Sequence, residues 1–322
     1  MSRFLVTATA AFAAALAIGA VSAGTFPDKP LRIVVSYPPG GVTDILARVV
    51  AQKLNEAWGQ PVIVENRAGA SGNIGAEYAA RATPDGYTIF VSTSSHAAGA
   101  GLYRRLNYDL LRDFAGVSLI ATTPSVLVVS NSLPVRDVGE LVAYARANPG
   151  KLSFGSPGAG SNAHLAVELF GAMTGTRFLH VPYKGNTGVL ADLVGGQIGF
   201  TIDSLPPYLP MMKSGKIRAL AVSTPKRSRA VPELPTIAEA GVPGYESMGW
   251  FGLAVPAKTA RSVIVKLSVE TVRLLQLPDV VTRLSAVGAE PQGSTPSEFD
   301  QHVKREVAKF AKLIGDTGVE RQ

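Results

Sequence analysis

The stretch "YPPGGVTDILAR", Tyr37 to Arg48, lies between a short apolar run and an amphipathic one, and its reading sets the fold. Upstream, "LRIVVSY" (Leu31 to Tyr37) is a nearly continuous apolar, β-branched run, as expected of a strand buried on both faces. Downstream, Ile45, Leu46, Val49, Val50, Leu54 and Trp58 recur at helical spacing, with Thr43 placed to cap the helix and Asp44 in its first turn. A strand that enters a helix through two prolines and two glycines is the junction of an open α/β sheet. Such a turn is either a compact connection or a place where bare backbone amides hold a ligand.

The same alternation continues along the chain. "PVIVEN" (61–66) reads as a strand, "GNIGAEYAARA" (72–82) as a helix opened by glycines, and "GYTIFVST" (86–93) as a third strand after the turn "TPDG". A second unit begins near "PSVLVVSNSLP" (124–134). Its first helix carries a capping box, Asp137 with Glu140 three residues on. There follow the strand "KLSFGS" (151–156), the loop "PGAGSN" (157–162), the helix "AHLAVELFGAMTG" (163–175), and the strand "FLHVPY" (178–183). A helix through "VLADLVGG" (189–196) and the strands "QIGFTID" (197–203) and "IRALAVS" (217–223) complete the unit. The tail is helical over 259–275 and 295–318, the latter starting with Thr295 as cap, Pro296 at the first helical position and Glu298 closing the box. Strand and helix in alternation with short connections predict a mostly parallel sheet covered on both faces. The expected division is a first domain of 24–125, completed by about 249–322 if the last helices pack back on it, and a second of 126–248.

The 322 residues are 46% hydrophobic and 17% charged, enough for more than one core. No cysteine is present, which excludes disulfides, thiol catalysis and cysteine-ligated metal. Arg3 precedes the apolar run "FLVTATAAFAAALAIGA", which ends in "VSA" (Val21 to Ala23). This is the pattern of a secretory signal peptide, residues 1–23, cleaved near Ala23, rather than of a membrane anchor. Cleavage takes the formal charge from +7 to 7 − 1 = +6, since Arg3 is lost. The basic residues are spread out, "PKRSR" (Pro225 to Arg229) reads as a solvated loop, and no nucleic-acid partner is expected.

The catalytic inventory is poor. His96, His164, His180 and His302 form no HExxH pattern, and no G-x-S-x-G elbow exists. No catalytic residues, metal or cofactor are expected. Gly158, Gly160 and Ala163 match a dinucleotide fingerprint formally, but the next strand ends in "HVPYKG" without the acid that a ribose needs. What remains is three small-residue loops, each following a strand and opening a helix: "YPPGG", "STSSH" (Ser92 to His96) and "GSPGAGSN" (Gly155 to Asn162). Free amides and the helix dipole favour an anion there, and none of the three carries a lysine or arginine. Glycine- and serine-rich turns also arise for backbone reasons alone. Asp44 is open between stabilising its helix start and accepting a hydrogen bond from a ligand or water.

In "FPDKPLRIVVSYPPGGVTDILAR", "VIVENRAGASGNIGAEYAA", "PDGYTIFVST", "ANPGKLSFGSPGAGSNAHLAVELF", "HVPYKG" and "GGQIGFTIDS", the chain resembles the periplasmic solute-binding receptors of tripartite tricarboxylate transporters, the Bug/TctC type. The motifs run in the family's order over nearly the whole mature chain. The resemblance implies a type II periplasmic-binding-protein fold, two α/β domains with a ligand cleft between them. It also implies a periplasmic location, a small organic acid (carboxylate) as ligand, and integral-membrane permease subunits as partners; a monomer is expected. Carried onto this chain, the ligand site comprises Tyr37, Pro39, Gly40, Gly41 and Asp44 on one side. Ser156, Gly158, Ala159, Gly160, Ser161 and His164 oppose them, with Ser92, Thr93, Ser94 and His96 in the mouth and Asp203 at a strand end nearby. His180 and Tyr183 are rim or packing residues. Ala68 and Ser71 stand where the family often has proline and glycine, which bears on the rigidity of that loop alone. The alternatives are a ligand sensor that docks a membrane signalling protein and, less favoured, an exported enzyme acting on an anion.

Overall fold

Leu31, Ile33 and Val35 point to one apolar cluster and Val34 to another, so the first strand is apolar throughout because helices cover both its faces. The computed structural model describes residues 26–183 and 185–317; the expected signal peptide lies outside the described residues. In chain order, β1 (Leu31–Val35) leads to α1 (Val42–Trp58), β2 (Val62–Asn66), α2 (Asn73–Ala80), β3 (Thr88–Thr93) and α3 (Ser94–Leu102). Then come β4 (Phe114–Ser130), α4 (Val138–Ala147), β5 (Ser153–Ser156), α5 (Asn162–Thr174), β6 (Leu179–Pro182), α6 (Asn186–Val194), β7 (Phe200–Ser204), α7 (Leu209–Lys213) and β8 (Ile217–Val222). β9 (Met248–Pro256), α8 (Arg261–Leu275), α9 (Pro278–Ala286), β10 (Glu290–Pro291) and α10 (Pro296–Thr317) close the chain. Among the described residues no helix is long and apolar enough to cross a membrane.

The strand order is β2-β1-β3-β9-β4-β7-β5-β6, with β8 and β10 also on β4. The outer parts are parallel, as the alternation predicts, but β9 runs antiparallel to both β3 and β4, and β7 and β8 run antiparallel to β4. The expectation of a mostly parallel sheet therefore holds for the two ends and not for the centre. β4 is the reason. Its residues 114–124 pair with β9, and its residues 125–130 pair with β7 and β8, so one strand serves both halves of the sheet. Pro124 sits where the partners change, opposite Met248 at the start of β9, a position at which a missing N–H disrupts no central ladder.

Each half has its own apolar clusters. Around β1, β3, β9 and the first part of β4 lie Leu46, Val50 and Leu54 of α1 on one face, and Ala97 and Leu102 of α3 on the other. Around the second part of β4 lie Leu141 of α4 and Val167 and Phe170 of α5, with Val189 and Leu193 of α6 opposite. Phe299, Val303, Phe310, Leu313 and Ile314 of α10 join the cluster of α3, as does Leu165 of α5.

Local signals were followed unevenly. Thr295 and Glu298 exchange the capping-box bonds at 2.8 and 3.3 Å, and Asp137 caps α4 at 2.7 Å. The cap of α1, however, is Gly41 with no side-chain bond, and Thr43 lies inside the first turn. "STSSH" is no loop: Thr93 ends β3 and Ser94 begins α3 without a break, because Thr93 is itself the cap and His96 closes the box.

Candidate functional site

The opening turn is held from behind. Asp44, 3% exposed, accepts the Gly40 N–H at 2.9 Å and the Arg48 Nε–H at 2.9 Å on one oxygen, and the Asn66 side-chain amide at 2.9 Å on the other. Asn66 also donates to the Tyr37 carbonyl at 3.1 Å. Burial works to raise the Asp44 pKa, but the hydrogen bonds from Arg48, Gly40 and Asn66 together hold it below the usual carboxylate range. The carboxylate is thus saturated by the turn it fixes. Pro38 to Gly41 stay exposed, Gly40 adopts φ +88°, and the first-turn amides of α1 have no helical acceptor.

Beside this turn, Tyr37 Oη and Thr93 Oγ1 lie 3.1 Å apart, and Thr93 Oγ1 lies 2.9 Å from His96 Nδ1. The same Nδ1 accepts the Thr93 backbone N–H at 3.0 Å, so the proton of this imidazole resides on Nε2, which faces the Gly72 backbone without a well-directed hydrogen bond. Burial pushes His96 down to about 4 and keeps it neutral.

The turn between β5 and α5 is built alike. Gly160 adopts φ +73° and donates its N–H to His164 Nδ1 at 3.0 Å, while Ser161 caps α5 by accepting the His164 N–H at 3.3 Å. Ser156 donates to the Gly158 carbonyl at 2.9 Å, which leaves His180 Nε2, 2.7 Å away, as a donor to the Ser156 oxygen. The His164 and His180 rings stack at 3.8 Å and 6°, and His180 lies on Phe154 at 4.8 Å. The third residue of each of α1, α3 and α5, Asp44, His96 or His164, therefore reaches back to tie down the backbone before its helix. The outward amides are left for something else.

The two turns are joined through α3. Its start carries Thr93 and His96, and its end carries Leu102, whose Cδ2 lies 2.2 Å from where a Cβ on Gly160 would stand. Of the expected residues, the structure gathers Tyr37, Pro39, Gly40, Gly41, Asp44, Thr93, Ser94 and His96 at the strand ends of one half. Ser156, Gly158, Ala159, Gly160, Ser161 and His164 lie at the β5-to-α5 turn of the other. Ser92 is a correction. Its neighbours in the strand alternate, so its buried side chain turns away from Thr93 and lines a separate cavity of about 200 Å³ with Phe114, Ala254 and Phe299. Asp203 is 6% exposed and fully engaged by Asn186, Tyr208 and the Ser204 N–H, and burial raises it to about 6. It anchors the start of α6. Tyr183 packs against Gly155 and Gly188, with its hydroxyl on Asp192 at 2.6 Å.

Asn66 and Arg48 were missed as holders of the first turn, and the His164–His180 pairing was missed in the second. The acid–base spacing of Asp44 and Arg48, four apart on a helix, was the one available signal. Among the described residues no cluster of three or more histidines and acids is placed to hold a metal.

A family model described as "Tripartite tricarboxylate transporter family receptor" matches residues 46–319. The protein BugT of Bordetella pertussis is 38% identical over 320 residues, covering 99% of this chain and 98% of BugT. Among solved structures, R. palustris Rpa4515 with adipate is 41% identical with a TM-score of 0.78, covering 92% of this chain and 99% of that one. MatC of Rhodopseudomonas palustris with bound malate is 30% identical with a TM-score of 0.74, covering 90% and 100%. The fold is the two-lobed α/β architecture of periplasmic binding proteins. With a family match over most of its length and these relatives alongside, the chain belongs to the tripartite tricarboxylate transporter family of receptors.

Proposed function

We propose that the chain is an exported, periplasmic solute-binding receptor that captures a small organic carboxylate between its two lobes and delivers it to membrane permease subunits. The observation that carries this reading is the pair of strand-to-helix turns, Tyr37–Gly41 and Ser156–Ser161, one in each lobe, each fixed from behind by the third residue of its helix and each leading into first-turn helix amides that have no helical acceptor. Two helix N-termini without a lysine or arginine suit a carboxylate recognised by neutral donors, each terminus contributing about 0.3–1 kcal/mol through its dipole. The relatives solved with adipate and malate fit a ligand of this class. The lobes, 26–125 with 249–317 and 126–248, would move about the two crossings at Pro124–Ser125 and Ser247–Met248. Ser156 lies against His180, but its hydroxyl donates to the Gly158 carbonyl and His180 donates to its oxygen, so the pair is not set as nucleophile and base; binding without turnover is the expected behaviour, and the signal peptide would be removed before use.

The test is a thermal-shift screen of the protein starting at Gly24 against mono-, di- and tricarboxylates, amino acids and aromatic acids. A ligand at a hundredfold excess over its Kd adds about 2.7 kcal/mol, several degrees in Tm. A shift confined to one class of carboxylates supports the reading and names the ligand. No shift with any acid, or turnover of one, overturns it.

A further inference from the structure

His164 holds the second turn in a way that a proton undoes. To accept the Gly160 N–H at 3.0 Å, its Nδ1 must carry a lone pair, so the ring is neutral with its proton on Nε2. That Nε2 points toward the partly exposed Glu168 carboxylate, 3.6 Å away. A proton on Nδ1 would set donor against donor at Gly160. The turn preceding α5 would lose the bond that shapes it.

Other groups around the ring are accounted for. From β6, His180 stacks on it at 3.8 Å, and burial together with His164 pushes His180 down to about 4, so this neighbour stays neutral in mild acid. From β5 come Phe154 and Ser156, both uncharged. The end of α3 brings Leu102 against Gly160. α10, packed along α5, carries Glu306 and Lys309, paired with each other at 2.6 Å. The other two turns use holders that mild acid does not reach: Asp44 is kept below the usual carboxylate range, and His96 is sealed at 1% exposure.

We propose that His164 is a positioning residue that makes the ligand grip of the second lobe sensitive to protons, so that acidification loosens the Ser156–Ser161 turn while the Tyr37–Gly41 turn stays formed. This inference rests on the receptor reading above. A ring that must be neutral to hold the turn has to shed its proton before the ligand is gripped, so affinity falls as protons take up Nδ1, by up to about tenfold per pH unit once the ring is charged. Binding would take place with release of a proton in that range.

Asparagine places its Oδ1 where the histidine places Nδ1, as the Asp44 oxygen shows at the equivalent position of α1. Adipate affinity is therefore measured by calorimetry between about pH 5 and pH 7.5 for the mature wild type, His164→Asn and His164→Leu. The wild type should weaken about tenfold on acidification. His164→Asn should bind more tightly than His164→Leu at neutral pH and show a flat profile. A flat wild type, or a His164→Asn profile as steep as the wild type's, overturns the proposal. The ligand-free protein supplies an independent arm. The Gly160 amide resonance should titrate together with the His164 ring in the wild type and stay still in His164→Asn; a Gly160 amide that does not titrate also overturns it. Failure of every variant to bind adipate, with Gly160 titrating, would count against the ligand class and leave the latch in place.

Discussion

Asp44 offers the sharpest test of how the first turn works. Its carboxylate accepts three hydrogen bonds, from Gly40, Arg48 and Asn66, all at 2.9 Å. In Asp44→Ala the half-exposed Arg48 turns to water at little cost, while Gly40 and Asn66 lose charge-assisted bonds contributing about 1–1.5 kcal/mol each. The expected loss is about 2–3 kcal/mol, or roughly 5 °C in Tm for a chain of this size. Asp44→Asn keeps an acceptor for Gly40 and should lose only about 1 kcal/mol. Because the Asp44 pKa lies below its ordinary value in the folded protein, the wild-type advantage is present at neutral pH and fades as pH falls through that pKa. Urea unfolding at neutral and acid pH, with adipate binding measured on the same samples, reads both effects. If Asp44 fixes the turn, Asp44→Asn binds within about tenfold of wild type, because the turn survives. A variant that keeps its stability but loses binding by a hundredfold, about 2.7 kcal/mol, would show that the carboxylate touches the ligand itself and refute this account.

Gly41→Val should abolish carboxylate binding while the fold stays intact, with stability lowered by about 1 kcal/mol for the poorer N-cap, because φ is −78° there and a Cβ meets nothing nearer than the Pro38 carbonyl at 3.9 Å; normal binding in a thermal shift would mean that the turn is only a turn. Asp203 has its folded pKa raised to about 6 from an unfolded 3.8, so its stabilising contribution is present below pH 3.8 and lost as pH rises through 6. Asp203→Asn should consequently gain about 2 kcal/mol on wild type between about pH 4 and pH 8, and a difference that does not change with pH in urea unfolding would contradict this. Ser71 adopts φ +55°, where a side chain costs about 1 kcal/mol, so Ser71→Gly should raise Tm by about 1–2 °C despite the looser unfolded chain; a lower Tm would count against strain in that loop.

What the sequence determined is what neighbouring residues decide among themselves. The start of α10 was legible because Thr295, Pro296 and Glu298 cap one another within a single turn. The face of α1 was legible because its apolar period is local, and so were the small-residue turns that end the parallel strands. The sheet's centre was not. β4 is buried on both faces over most of its length, so it shows no alternation to mark its start at Phe114, and only pairing with β9 and β7 decides where it changes partners. The same limit applied within the site. Ser92 and Thr93 looked equivalent in the chain, and the pleat sent them to opposite faces, one to a separate cavity and one to the turn. Thr43 looked like a cap, yet Gly41 took that place, since Asn66 on β2 was there to complete the shell around Asp44. His164 and His180 stand sixteen positions apart and meet because β5 and β6 are parallel neighbours, with Phe154 and His180 in register. Periodicity and capping reach four residues along a chain; the contacts that set the site's hydrogen bonds and its response to protons reach across strands, where only the folded sheet brings them together.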